Sequence, residues 1–168
     1  MIIVSDTTPL ISLMKAGQLN VLQNLYGEIL IPEAVYNELT SNKTYREEAE
    51  LIAKADFINV VQLVEKCIAN TFQQKTGLDR GESEAIVYVM NIKADILLMD
   101  EALGRKVARE LGIHIQGTIG VLLEAFDRKI LSSDDIREAI QRLRITKRHI
   151  SEQLYQYALK YIAASENV

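Results

Sequence analysis

Four acidic residues of this chain stand at positions where chemistry is a better explanation than solvation. Asp6 and Asp100 each follow a short apolar run, IIVS and ILLM. Glu38 comes four residues after Ala34 and three after Val35, while Glu82 precedes Ala85 by three, Ile86 by four and Val89 by seven. Those offsets put both glutamates on the apolar stripe of a helix, the face expected to pack against a sheet. A carboxylate on a packed face needs a partner. If the four acids meet, they repel one another and raise their own pKa values unless a cation neutralises them. Hard divalent ions such as Mg²⁺ or Mn²⁺ answer that need with oxygen coordination. The chemistry that follows is phosphodiester hydrolysis, in which the metal charge activates a water and stabilises the leaving oxygen without a serine or histidine nucleophile.

Each position also has an ordinary explanation. An aspartate after a strand is commonly a turn former, and Asp79, just ahead of the Glu82 segment, reads as a helix cap. Glu84 lies about 200° around the helix from Glu82 and should face elsewhere. A phosphatase or receiver domain using Asp6 as nucleophile fits less well. The first wants a second aspartate where this chain has Thr8, and the second wants a late-strand lysine that Ile113 to Ile115 does not supply.

Composition narrows the classes further. The single Cys67 excludes an intramolecular disulfide and, between Val64 and Ile68, reads as a small buried hydrophobe. His114 and His149 are far apart and lack cysteine partners, so a zinc site is not expected. The formal net charge of −4 is unlike that of a general nucleic-acid coater, yet Arg137, Arg142, Arg144, Lys147, Arg148 and His149 collect near the C-terminus. With Tyr155, Tyr157 and Tyr161 available for stacking they could form a track for RNA, although a solvated helix face explains each of them too. No apolar run approaches the roughly 20 residues of a membrane span, and MIIVSDTTPL lacks the plan of a signal peptide, so a cytoplasmic protein is expected.

The elements that must position the acids follow from periodicity. Short apolar runs alternate with helical patterns, as in a parallel α/β sheet. Strands are expected at 2–5, 28–31, 58–62, 96–99 and 113–115. Helices are expected after Thr7 or Thr8 as cap, over 33–39, 45–55, 65–74 and 82–92, then over 119–129, 133–143 and 151–164, with 75–81 a loop. Ser132 or Ser133 caps the helix whose first turn carries Asp134 and Asp135. Leu154, Tyr155, Ala158, Leu159 and Ile162 give the last helix an apolar stripe suited to core packing. In an open parallel sheet, ligands gather beyond the carboxyl ends of the strands, which is where Asp6 and Asp100 fall.

The ordered segments IIVSDTTPL, IPEAVYNEL, LDRGESEAI and ADILLMD together resemble the PIN-domain superfamily over roughly residues 1 to 120. More narrowly, DTTPL, GESEAI, MDEALGRKVARELGI and QGTIGVLLEA look like a PIN subgroup of prokaryotic proteins related to VapC-type toxins. The resemblance implies a three-layer α/β/α fold around a mainly parallel five-stranded sheet. It implies a single domain over 1–168, with a nuclease core at 1–120 and a helical extension at 121–168. It further implies a Mg²⁺- or Mn²⁺-dependent endoribonuclease, a homodimer, acting on RNA as the toxin of a toxin–antitoxin pair and neutralised by a small antitoxin protein. Asp6, Glu38, Glu82 and Asp100 match the family's metal-binding and catalytic acids. Glu82 departs from the pattern, since many members carry aspartate there. The alternative is therefore a PIN-like RNA- or partner-binding regulatory module that no longer cuts. Thr7, Thr8, Arg105, Lys106 and Thr118 are further candidates for substrate contact. The first two neighbour Asp6, the next two follow Asp100 by about a turn, and Thr118 lies in the Gly117 to Gly120 loop.

Overall fold

The computed structural model describes residues 1–41, 46–146 and 150–165 of the 168-residue chain. Strands β1 (Ile3–Ser5), β2 (Ile29–Pro32), β3 (Ile58–Val61), β4 (Ile96–Leu98) and β5 (Ile115–Gln116) form one sheet in the order β3-β2-β1-β4-β5. Every pairing is parallel. Helices α1 (Thr7–Lys15) and α2 (Val21–Tyr26) separate β1 from β2, and α3 (Glu33–Ser41) and α4 (Arg46–Lys54) separate β2 from β3. The chain then crosses to the other side of β1 through α5 (Lys66–Thr76) and α6 (Arg80–Ile92), and α7 (Ala102–Glu110) lies between β4 and β5. Three helices end the chain: α8 (Thr118–Asp127), α9 (Ser133–Ile145) and α10 (Glu152–Ser165).

The two-residue period of the strands divides the core into two layers. Ile3, Ile29, Ile31, Ile96 and Leu98 pack with residues of α1 to α4 and of α8 to α10. Val4, Leu97 and Met99 point the other way, against Ala85, Ile86 and Val89 of α6 and Ala108 of α7. The result is the expected three-layer α/β/α arrangement. Because the strand order reverses at β1, the ends of β1 and β4 flank a topological switch point, the usual place for a ligand crevice.

Several boundaries differ from expectation for local reasons. Helix α1 starts at Thr7, with Asp6 rather than a threonine in the cap position, because Asp6 already has extended backbone at φ −79° and ψ 171°. Helix α2 was not anticipated, since six residues are too few to display a full apolar period. Helix α6 begins two residues early because Asp79 caps it: its carboxylate accepts from the Glu82 N–H at 2.8 Å, and Glu82 Oε2 accepts from the Asp79 N–H at 3.0 Å. Ser132 and Asp135 build the same reciprocal cap on α9. Cys67 is exposed rather than buried, because α5 turns only Ala69 fully inward. Tyr45, expected to open a helix, lies outside the described residues, and α4 begins at Arg46.

The C-terminal helices join the helical layer formed by α1 and α2, on the side of the sheet to which Ile3 points. Ala158 and Ile162 of α10 are fully buried, as are Ile136 and Ile140 of α9, whereas Leu154 is 40% exposed. Of the expected basic track, Arg142 is held by Glu138 at 2.6 Å, and Arg144 lies 3.3 Å from Glu152 and 4.1 Å above the ring of Tyr155. Tyr161 donates to Asp127 at 2.8 Å. Lys147, Arg148 and His149 lie outside the described residues.

Candidate functional site

Asp6 leaves the end of β1 and anchors there through its N–H, which donates to the Leu98 carbonyl of β4 at 3.0 Å. That bond ties the ends of the two central strands together and turns the aspartate inward. The side chain is 2% exposed, and Oδ1 has no hydrogen-bond partner. Burial pushes its pKa well above the ordinary carboxylate range. The Thr7 N–H opposes that shift, and the negative charges of Asp79, Glu82 and Glu38 add to it.

Glu38 differs from its expected placement. Its stripe neighbours Ala34, Val35 and Leu39 are buried, but the glutamate is exposed. The side chain is long enough to carry the carboxylate out of the packed layer, where Oε2 accepts from Thr7 Oγ1 at 2.7 Å. Glu82 does face inward at 6% exposure. Burial raises its pKa, the Asp79 N–H partly offsets this, and Asp79, Glu101 and Glu38 raise it further. These mutual effects place Asp6, Glu38 and Glu82 in one negative field, joined by Asp79 and Glu101.

Asp100 approaches from the end of β4 and is held in a different way. Its two carboxylate oxygens accept from the Thr118 N–H at 2.8 Å and the Thr118 hydroxyl at 2.5 Å. Thr118 is the first residue of α8, so a helix N-terminus fixes this acid. Arg105 turns back to donate to the Met99 carbonyl at 2.8 Å, with burial drawing its pKa down and Asp100 drawing it up. Lys106 is exposed, with its ammonium 4.0 Å from Glu110 one turn along α7. Thr8 lines a cavity beside Asp100 and Thr118. Thr7 and Thr118 thus direct their hydroxyls to acids, and Lys106 points along its own helix.

Two acids play parts that sequence patterning did not resolve. Glu84, 3% exposed, accepts from the Ala34 N–H at 3.2 Å and from Arg80 Nε at 3.0 Å, so it joins the first turn of α3 to α6. Its spacing from Arg80 was a readable signal, but the distant Ala34 amide was not. Glu101, the residue that precedes α7, adds its charge at Glu82, which no periodicity encodes.

Among the described residues, no three acids stand at metal-holding spacing as placed. The chemistry of the donor set nonetheless fits a divalent cation. A buried, partnerless Asp6 oxygen faces a negative field, and Gly81 keeps the space beside it open. A Cβ on Gly81 would lie 3.3 Å from Glu38 Oε2 and 3.5 Å from Asp6 Oδ1. Oxygen donors of this kind suit Mg²⁺ or Mn²⁺.

No match was found among curated proteins or solved structures. A family model described as a PIN domain matches residues 2–164, thereby including the C-terminal helices as well as the sheet. The chain belongs to the PIN-domain family, whose members are generally nucleases that use divalent metal ions.

Proposed function

We propose that the protein is a Mg²⁺- or Mn²⁺-dependent endoribonuclease that works at Asp6, Glu38, Glu82 and Asp100, as the toxin partner of a small antitoxin protein. In this reading residues 1–168 form one domain, with 121–168 extending the core of 1–120, and the protein acts as a cytoplasmic homodimer. The observation that carries it is the Asp6 carboxylate, buried at 2% exposure with Oδ1 partnerless. Such an arrangement is costly unless a cation is its partner. A divalent ion held by the four acids would supply the positive charge that activates water and stabilises the departing oxygen.

The chain's own groups do the positioning. Thr7 holds Glu38 at 2.7 Å, and Thr118 holds Asp100 with both its N–H and its hydroxyl. The Asp6 N–H bond to Leu98 keeps the ends of β1 and β4 in register. Arg105, bonded to the Met99 carbonyl, leaves guanidinium donors beside Asp100 for a substrate phosphate. The test is incubation of purified protein with structured RNA in Mn²⁺ or Mg²⁺, beside Asp6→Asn. Cleavage is expected from wild type alone, and equal cleavage by the variant would remove Asp6 from the mechanism.

One observation favours a second reading. Glu82 Oε2 is committed to the Asp79 N–H in a helix cap, which suits a module that binds RNA or a partner without cutting. That reading expects RNA binding with no metal-dependent turnover in the same assay.

A further inference from the structure

Glu84 is a buried acid that the proposed chemistry leaves unused. It is 3% exposed, and burying a carboxylate is costly unless hydrogen bonds or a counter-charge hold it. Both are present, since Oε1 lies 3.0 Å from Arg80 Nε and Oε2 accepts from the Ala34 N–H at 3.2 Å. The Arg80 pair lies within α6, but the Ala34 bond crosses to α3. Ala34 is the second residue of α3, and the residue ahead of that helix is Pro32, whose side chain has no atom that can accept a hydrogen bond. The free N–H groups of a first helical turn need an acceptor and favour a negative one. Helix α3, which carries Glu38, thus takes its cap from α6, which carries Glu82.

The contact fixes more than a helix end. Ala34 stands four residues before Glu38, and Glu84 stands three after Gly81, about one turn in each helix. One turn from the Ala34–Glu84 bond, Glu38 and Val35 close on Gly81: a Cβ there would lie 3.3 Å from Glu38 Oε2 and 3.4 Å from Val35 Cγ2. Two contacts a turn apart set both the separation and the register of α3 and α6. We propose that Glu84 is a positioning residue for the metal site: by capping α3 across the helix interface, it holds Glu38 in reach of the cation shared with Asp6 and Glu82. The inference rests on the metal-dependent reading of the four acids and assigns to it a residue outside them. What the role requires is the length of the side chain and its acceptor oxygen, rather than its charge.

The test therefore contrasts Glu84→Gln, which keeps the reach and an acceptor but drops the charge, with Glu84→Asp, which keeps the charge but falls short by about 1.5 Å, one C–C bond. Mn²⁺ binding is read by electron paramagnetic resonance on each protein, beside Glu38→Ala, the double variant Glu38→Ala with Glu84→Asp, and Ser132→Ala, which loosens the cap on α9. Glu84→Asp should weaken Mn²⁺ binding about tenfold, the low end for a residue that orients a metal ligand, and Glu84→Gln should stay within about threefold of wild type. Adding Glu84→Asp to Glu38→Ala should cost no more than about twofold, because the residue it positions is already gone. Ser132→Ala should bind as wild type does, which separates the effect from a general loss of stability. Equal affinity of Glu84→Asp and wild type overturns the proposal, as do a Glu84→Gln protein as weak as Glu84→Asp and losses that multiply in the double variant. Mn²⁺ binding that follows the expected pattern in a protein that never cuts RNA overturns the nuclease reading and leaves the role of Glu84 standing.

Discussion

Asp6→Asn should make the metal-free protein more stable while removing its activity. The aspartate is 2% exposed, Oδ1 lacks a partner, and Asp79, Glu82 and Glu38 all disfavour its negative charge. Asparagine keeps the shape, removes the charge and adds an amide that can donate to those neighbours. Relieving an unsatisfied buried group is worth about 1–3 kcal/mol. At roughly 2–4 °C per kcal/mol for a chain of this size, Tm should rise by about 2–12 °C. Burial lifts the folded-state pKa above the unfolded value. The folded protein therefore holds the proton more tightly, so the stabilisation from that proton is complete below the unfolded pKa and is lost as pH climbs through the folded pKa. The variant's advantage should accordingly be greatest above the folded pKa and shrink on acidification. The assay is thermal unfolding by circular dichroism across pH 4 to 8 in EDTA, repeated with Mn²⁺. Saturating metal should raise the wild-type Tm, by about 2.7 kcal/mol of stabilisation at a hundredfold excess over Kd, and leave the variant nearly unmoved. A variant less stable than wild type in EDTA at neutral pH, or an advantage that widens as pH falls, would refute the reasoning.

Three other perturbations separate the site from its scaffold. Gly81→Ala sets a methyl 3.3 Å from Glu38 Oε2 and 3.5 Å from Asp6 Oδ1, so metal-induced stabilisation and cleavage should both fall in titration and gel assays. Its metal-free Tm should hold or rise, since alanine is favoured over glycine in a helix by about 1 kcal/mol. Thr118→Val removes the hydroxyl donor at 2.5 Å but keeps the N–H donor at 2.8 Å, so denaturant unfolding should show a loss of about 1.5–3 kcal/mol. Cleavage should drop in the same variant, through a freed Asp100. Ser132→Ala breaks the cap on α9 and should cost about 1 kcal/mol in the same unfolding measurement without changing cleavage.

The parallel α/β class was legible in the chain because strand and helix periods survive in the order of apolar residues. Runs such as IIVS and ILLM alternate with helical stripes, and strand edges moved by only a residue or two. Asp79 was readable as a cap for the same reason, since capping is a matter of local spacing. Helix α2, too short to show a period, was not legible, and neither was the exposure of Cys67, which depends on which face of α5 the sheet accepts.

The site divides along the same line. Sequence by itself determined that Asp6 and Asp100 follow strands and that Glu82 lies on a packed helix face, because those positions follow from local geometry, whereas Glu38, expected on the same kind of face, is exposed. Only the tertiary structure decided that β1 and β4 are neighbours, joined by the Asp6 N–H and the Leu98 carbonyl. It also decided that Thr7 takes Glu38, Thr118 takes Asp100, and Asp6 is left with a buried oxygen and no partner. Those outcomes rest on contacts between residues far apart in the chain, where burial and hydrogen-bond geometry act on side chains that no local pattern brings together.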